Sequence, residues 1–321
     1  MFRGETVGEN RGKPALAGKI LVAVEEVTKR YEQRVAVEKL ALALRTGEVF
    51  GLVGANGGGK TTTLRIFAGI LKPDKGHGQV LGFDLVREAG KIRERVGYMS
   101  QRFSLYADLS VFENLRFRAR IYGSNRPRAA AETAIDDFEL AEFARYPAGR
   151  LSGGWARRLQ LAAALIHSPR LILLDEPTAG LDPVSRHEVW RRIGHLAAQG
   201  AGVIVSTHDL AEAERCSSAA LLSEGRVVAA GTPEQIARST SATAFLLSGT
   251  DARRLARLVE AVPGVIATYP QGPSLRVVAD AAAEESLRRM ASIKNASVAP
   301  VAMRLEDAVL AFSRRSSRST G

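Results

Sequence analysis

The stretch Gly54-Ala55-Asn56-Gly57-Gly58-Gly59-Lys60-Thr61 limits what this chain can fold into more than any other. It fits G-x-x-x-x-G-K-[ST], and its flanks supply the context that this motif needs. Before it runs Glu48-Val49-Phe50-Gly51-Leu52-Val53, apolar and of strand length; after it, Thr62-Thr63-Leu64-Arg65-Ile66-Phe67-Ala68 reads as the start of a helix. Strand, glycine loop and helix in that order make a cradle for phosphate. Glycines let successive N–H groups curl around an anion with no Cβ in the way. The helix N-terminus adds unpaired amides and the positive end of a dipole. Lys60 supplies a point charge for the outer phosphates, and the Thr61 hydroxyl suits a magnesium ion. Gly54 to Thr61 and the adjoining Thr62 therefore form the candidate phosphate-binding set.

The 321 residues suffice for one large domain and a smaller one. Hydrophobic residues make up 45% and charged residues 25%, an ordinary globular balance that can bury a sizeable core. No apolar run reaches the 18 or so residues of a membrane span, and residues 1–19 read as a disordered polar leader without the apolar stretch of a secretory signal. The expectation is a cytoplasmic protein. The one cysteine, Cys216, excludes an internal disulfide and a cysteine-based metal site within the chain. The formal charge of +11 invites nucleic acid or anionic lipid as a partner. The arginines are scattered along helices beside glutamates, with no basic block interleaved with aromatics. A basic surface near anionic lipid is the expected reading, and nucleic acid is not.

Along the chain, Ile20–Val27 alternates as a half-buried strand, Tyr31 falls in a polar turn, and Val35–Leu44 is a second strand region. Val96 to Gln101 reads as a strand ending in a polar side chain. Residues 102–165, rich in charge and poor in β-branched runs, read as an inserted helical subdomain. Leu171-Ile172-Leu173-Leu174 and Gly202 to Thr207 are apolar enough for parallel strands buried on both faces. The first ends at Asp175-Glu176 and the second at His208. After residue 238 the character changes to strand, helix, strand, strand, helix, strand, the order of a ferredoxin-like unit. A last helix, Leu305–Phe312, and a Ser/Arg-rich tail from Ser313 follow. The expected architecture is an α/β P-loop cassette with a mixed sheet over residues 20–238 and a small α+β accessory domain over 239–321.

The second motif is Leu151-Ser152-Gly153-Gly154, followed by Arg157-Arg158-Leu159-Gln160-Leu161. Alone it would be four small residues before a helix, with Ser152 an N-cap. It stands, however, between the phosphate loop and the strand ending in Asp175-Glu176. Tyr31, Gln101, Ala179-Gly180-Leu181-Asp182 and His208 stand in order around it. Over roughly residues 20–237 this set closely resembles the nucleotide-binding subunit of an ATP-binding-cassette transporter.

The resemblance implies roles, position by position. Tyr31 matches the aromatic that stacks on adenine. Gln101 matches the loop glutamine that touches magnesium and the attacking water and links to the membrane partner. Asp175 matches the carboxylate that holds magnesium, and Glu176 the general base. His208 matches the switch histidine at the γ-phosphate, and a strand C-terminus in an α/β sheet is where ligands sit. Asp182 matches the loop aspartate that crosses to a second subunit. The amides of Ser152, Gly153 and Gly154 start a helix and form an anion site. In the family that site faces the γ-phosphate held by the other subunit. One chain then carries two half-sites, and two cassettes packed head to tail with ATP and Mg2+ at the seam complete both.

Two positions depart from the family's usual pattern: Gly58, where Ala or Ser is common, and Trp155, where Gln is commonest. Trp155, the string Tyr98 to Tyr106 and Leu305-Glu306-Asp307-Ala308-Val309-Leu310 are similar to a multidrug-exporter branch. The implied protein is an ATP-hydrolysing subunit, peripheral on the inner face of the cell membrane, that powers export through a separate integral membrane permease. Two alternatives differ in class. A soluble cassette ATPase acting on ribosomes or DNA would carry two cassettes, a coiled-coil insertion or a cysteine set. A module that only holds ATP would lack Glu176 or His208.

Overall fold

A computed structural model describes residues 18–249 and 252–319. The expected leader lies almost wholly outside the described residues. A six-stranded sheet forms the centre, built from β3 (Val49–Val53), β6 (Val96–Met99), β7 (Leu171–Asp175), β8 (Gly202–Thr207), β9 (Ser218–Ser223) and β10 (Arg226–Gly231). The strand order is β10-β9-β3-β8-β7-β6, parallel except for the β9–β10 hairpin. The sheet is buried on both faces, as the unbroken apolar strands require. Leu171 and Leu173 point into one core with Leu52, Leu64 and Phe67; Ile172 and Leu174 point into the other with Leu161, Leu181 and Ile193. All four leucine and isoleucine side chains of β7 are fully buried, each contributing roughly 1.5–3 kcal/mol.

One face carries α1 (Lys60–Phe67) and a second sheet of antiparallel strands, β1 (Ile20–Tyr31), β2 (Arg34–Arg45), β4 (Lys75–Val80) and β5 (Phe83–Asp84), in the order β2-β1-β4-β5. A short helix, α2 (Ala89–Arg93), leads into β6. Tyr31 ends β1 and is not part of a polar turn. The turn is Glu32-Gln33, and Tyr31 pairs directly with Arg34. The other face carries the helical region: α3 (Val111–Ile121), α4 (Pro127–Asp137) and α5 (Gly153–Leu165), with α6 (Pro183–Ala198) beside them. Ser110 opens α3 with a capping box closed by Glu113, and Asp182 caps α6. The segment after β8 is helical over α7 (Leu210–Ala213). Cys216 then packs into the core, where burial pushes its thiol up to about 12.

The helix α8 (Pro233–Arg238) precedes a third sheet of β11 (Ala242–Ser248), β12 (Val265–Gln271), β13 (Ser274–Asp280) and β14 (Ser297–Val301). It is antiparallel throughout, in the order β12-β13-β11-β14. One face packs on α9 (Ala256–Glu260) and α10 (Glu284–Ile293) around Phe245, Val259, Leu287 and Val298. The other packs on α11 (Leu305–Ser319) through Val278 and Ala311. This last helix runs seven residues past Phe312, into the segment that reads as a tail. Leu305, Val309 and Phe312 of α11 also join Val53, Leu221 and Ile236 in one apolar cluster, so the helix touches the central sheet at the end of β3.

Candidate active site

The phosphate loop joins β3 to α1 as the sequence implies, and its glycines are forced by contact. Gly59 has φ +99°, and a Cβ there would lie 2.3 Å from the Ala36 carbonyl oxygen of β2. A left-handed backbone against another strand leaves only glycine. Gly58 differs: its N–H donates to the Ala55 carbonyl at 3.1 Å, so that amide is used within the loop. Lys60 is 5% exposed. Its ammonium donates to the Gly54 and Ala55 carbonyls at 2.7 and 3.0 Å and lies 4.0 Å from a Glu176 oxygen. Burial holds it below the ordinary lysine range, and the negative charges of Glu176 and Asp175 partly counter that.

Opposite the loop, β7 delivers Asp175 and Glu176. Thr61 donates its hydroxyl to Asp175 Oδ1 at 3.1 Å, and Ser206 at the end of β8 donates to the same oxygen at 2.6 Å. Asp175 Oδ2 is buried and has no hydrogen-bond partner. Buried carboxylate oxygens are normally paired. The orphan beside a threonine hydroxyl therefore fits a hard cation, which takes one carboxylate, a hydroxyl, waters and phosphate oxygens. The backbone turns at Glu176 with φ +49°. A non-glycine residue held there costs on the order of 1–3 kcal/mol, the kind of strain that surrounding structure sustains at functional sites. Two contacts hold it in place: the Glu176 N–H donates to Ser206 Oγ at 3.0 Å and to the Ser206 carbonyl at 3.2 Å.

The Glu176 carboxylate gathers the remaining polar groups. Gln101 Nε2 donates to Oε2 at 3.0 Å, and His208 Nδ1 lies 3.2 Å from Oε1. Tyr31, 45% exposed with the Lys29 ammonium 5.9 Å from its ring centroid, offers an aromatic surface suited to stacking on a base. Tyr31, Arg34, Asn56, Lys60, Gln101 and Glu176 are among the residues lining a cavity of about 510 Å³. Gly57, Gly59, Thr61 and Thr62 line it too. The fold thus brings Tyr31, the phosphate loop, Gln101, Asp175, Glu176 and His208 together.

The other predicted group lies elsewhere. Ser152 takes the N-cap position of α5, with an extended backbone and no side-chain cap, and it is exposed together with Gly153. Ser152, Gly154 and Asp182 line a separate cavity of about 250 Å³ with Trp155, Arg158 and Glu188. Asp182 is occupied with capping α6. It accepts from the N–H groups of Val184 and Ser185 and from the Ser185 hydroxyl at 2.6 Å, and these bonds hold its carboxyl below the usual range.

Four residues carry positions in the site to which the sequence reading assigns no role. Ser206 bridges Asp175 to the Glu176 amide; its only signal is a polar residue closing an apolar strand. Gln160 on α5 donates to the Arg102 carbonyl at 2.9 Å, and Arg157 is set to donate to Ser100, so α5 grips both flanks of Gln101. The fourth is Arg34, whose Nη2 donates to the Gly57 carbonyl at 3.0 Å.

With the geometry in place, likeness to known proteins decides the family. A family model described as "ABC transporter" matches residues 37–179, and one described as "AAA domain, putative AbiEii toxin, Type IV TA system" matches residues 145–214. The Nod factor export ATP-binding protein I of Burkholderia pseudomallei (strain 1710b) is 40% identical over 215 residues, covering 66% of this chain and 71% of that protein. The chain belongs to the ABC transporter family. The daunorubicin resistance ATP-binding protein DrrA3 of Streptomyces coeruleorubidus is 37% identical over 75% of this chain and 78% of its own. The probable multidrug ABC transporter ATP-binding protein YbhF of Escherichia coli (strain K12) is 40% identical over 68% of this chain, which spans only 38% of YbhF. Among solved structures, an ATP-binding subunit of an ABC transporter aligns with TM-score 0.62 and 32% identity, over 68% of this chain and 92% of that one. A dimeric cassette in a post-hydrolysis state with ADP and Pi aligns with TM-score 0.62 and 28% identity, over 66% and 98%. The chain thus carries an ABC transporter ATP-binding domain whose named relatives are of the exporter type.

Proposed function

We propose that the chain hydrolyses ATP at the seam of a head-to-tail pair of cassettes, and that this drives export of a drug-like, antibiotic or lipid-like substrate through a separate membrane permease. The observation that carries the reading is the division of the site. The Tyr31–Lys60–Glu176 wall and the Ser152–Gly154 wall line different cavities of one chain, and a second cassette can bring one against the other. Dimeric cassettes among the related structures support that assembly.

In this mechanism Tyr31 stacks on the base and the loop amides with Lys60 hold the phosphates. Asp175 and Thr61 would hold Mg2+, which neutralises phosphate charge when bound. Glu176 orients the attacking water and accepts its proton at a carboxylate oxygen. Gln101 Nε2 and His208 already fix that carboxylate, and His208 then meets the γ-phosphate. Ser152, Gly153 and Gly154 of the second cassette offer their amides to the same phosphate.

We place the protein on the cytoplasmic face of the membrane. Among the described residues no helix is long and apolar enough to cross a membrane. Beside the Gln101 loop the helical region exposes Phe103, Tyr106, Phe117 and Ile121, an apolar edge suited to a helix of the permease. Residues 239–321 are read as an accessory ferredoxin-like domain, supported by the β12-β13-β11-β14 order.

A photo-crosslinking residue at Tyr106, in cells, separates exporter from soluble ATPase. The expected adduct is with an integral membrane protein; adducts confined to ribosomal proteins would overturn export.

A further inference from the structure

We infer that Arg34 is a nucleotide-binding residue that contacts the α-phosphate, the phosphate next to the ribose. The inference rests on the ATP site proposed above and adds a second cation to it. Tyr31 and Arg34 are direct partners across the β1–β2 turn. Residues directly opposite in an antiparallel pair point their side chains to the same face of the sheet. The Arg34 guanidinium therefore lies beside the aromatic platform, and from there it reaches the phosphate loop, where Nη2 donates to the Gly57 carbonyl at 3.0 Å. The contact is close: a Cβ on Gly57 would lie 2.9 Å from that nitrogen. Both Tyr31 and Arg34 line the 510 Å³ cavity.

Position along the cavity decides which phosphate is met. Lys60 sits at the closed end, buried, between the Gly54 and Ala55 carbonyls and Glu176, where the outer phosphates and the reaction belong. Arg34 is exposed at the mouth, between the base platform and the loop. A nucleotide whose base lies on Tyr31 and whose outer phosphates reach Lys60 must pass its α-phosphate by Arg34. The guanidinium has five N–H donors in a fixed plane, and Gly57 occupies one of them. The bond to Gly57 also holds the side chain in place before the ligand arrives, which lowers the ordering cost of binding. In the sequence, a basic residue next to a turn reads as a solvated charge, so only the hairpin register shows this role.

The test is displacement of a fluorescent ATP analogue from the purified chain by ATP, ADP, AMP and adenosine. It compares wild type with Arg34→Ala and Arg34→Lys; the side chain is exposed, so both variants fold. Arg34→Ala is expected to weaken ATP, ADP and AMP by the same factor, about tenfold, and to leave adenosine unchanged. Arg34→Lys is expected to recover part of the loss. Unchanged affinities throughout would overturn the inference. So would a loss for ATP and ADP that spares AMP, which would place Arg34 at an outer phosphate, or an equal loss for adenosine, which would make it a brace for Tyr31. Wild-type protein that binds none of the nucleotides would overturn the site itself, and Arg34 with it.

Discussion

The buried ionic cluster at Lys60 and Glu176 and the one at Arg276 and Asp307 are built to opposite standards. In the second, both carboxylate oxygens are fully engaged. Arg276 and Asp307 side chains are 2% and 0% exposed. Arg276 donates to both carboxylate oxygens, at 2.9 and 2.6 Å; Tyr269 adds its hydroxyl at 2.6 Å and the Arg304 amide adds its N–H at 2.7 Å. In the first, Lys60 is 4.0 Å from Glu176 and leans on backbone carbonyls, Asp175 Oδ2 has no partner, and Glu176 is in a left-handed conformation. A closed network specifies one arrangement and anchors α11 to β13. An open one leaves charge uncompensated until a ligand brings phosphate and cation. The difference separates a group that holds structure from one that awaits a reaction.

The sharpest break between them is in activity. Glu176→Gln is expected to lower ATP turnover by about two to four orders of magnitude, the worth of a general base, with folded stability kept, because the amide can still meet Gln101 and His208. Undiminished turnover would remove Glu176 from its role. Asp307→Asn is expected to do the reverse. It leaves the Arg276 cation buried without its partner, which costs about 3–5 kcal/mol in denaturant unfolding, while ATP affinity is kept. The double change Arg276→Met with Asp307→Leu should recover most of that loss, since apolar side chains of similar volume replace buried pairs at little cost. A double variant as unstable as the single one would show that the network contributes more than mutual satisfaction.

The smallest effect is in pH. The bonds from Arg276, Tyr269 and the Arg304 amide outweigh burial and hold the Asp307 carboxyl below its ordinary value. A carboxylate whose folded pKa is depressed stabilises the fold above its unfolded pKa, near 3.8. That contribution is lost as pH falls through the folded value. Acid unfolding of the wild type should therefore steepen below about pH 4, and Asp307→Asn should lack that component. Identical acid profiles would place the anchor elsewhere.

The same contrast explains what the sequence can and cannot announce. The proposed catalytic cluster is legible because its chemistry demands residue types in order: glycines and Lys60 after a strand, Asp175-Glu176 after an apolar run, His208 at a strand end. The apolar strands β7 and β8 were readable for the same reason. The anchor is not legible. By alternation, Ser274 and Arg276 share a face with Val278, which looks like a solvent face with one apolar residue. Only the packing of α11 across that face makes Arg276 a core residue. The full length of α11 was hidden by a Ser/Arg-rich composition that suits an exposed helix as well as a tail. Ser206 and Arg34 escaped because each acts across a strand pairing, and periodicity reveals strands but not their partners. The division into two sheets was hidden in the same way.

The central claim is that each chain holds one wall of two composite sites. Light scattering of purified Glu176→Gln with ATP, with ADP and without nucleotide measures it directly. The account predicts a monomer without nucleotide or with ADP, a dimer with ATP, and no dimer once Lys60→Ala is added. A protein that stays monomeric with ATP bound, while the wild type hydrolyses ATP at a rate per molecule independent of its concentration, would contradict it.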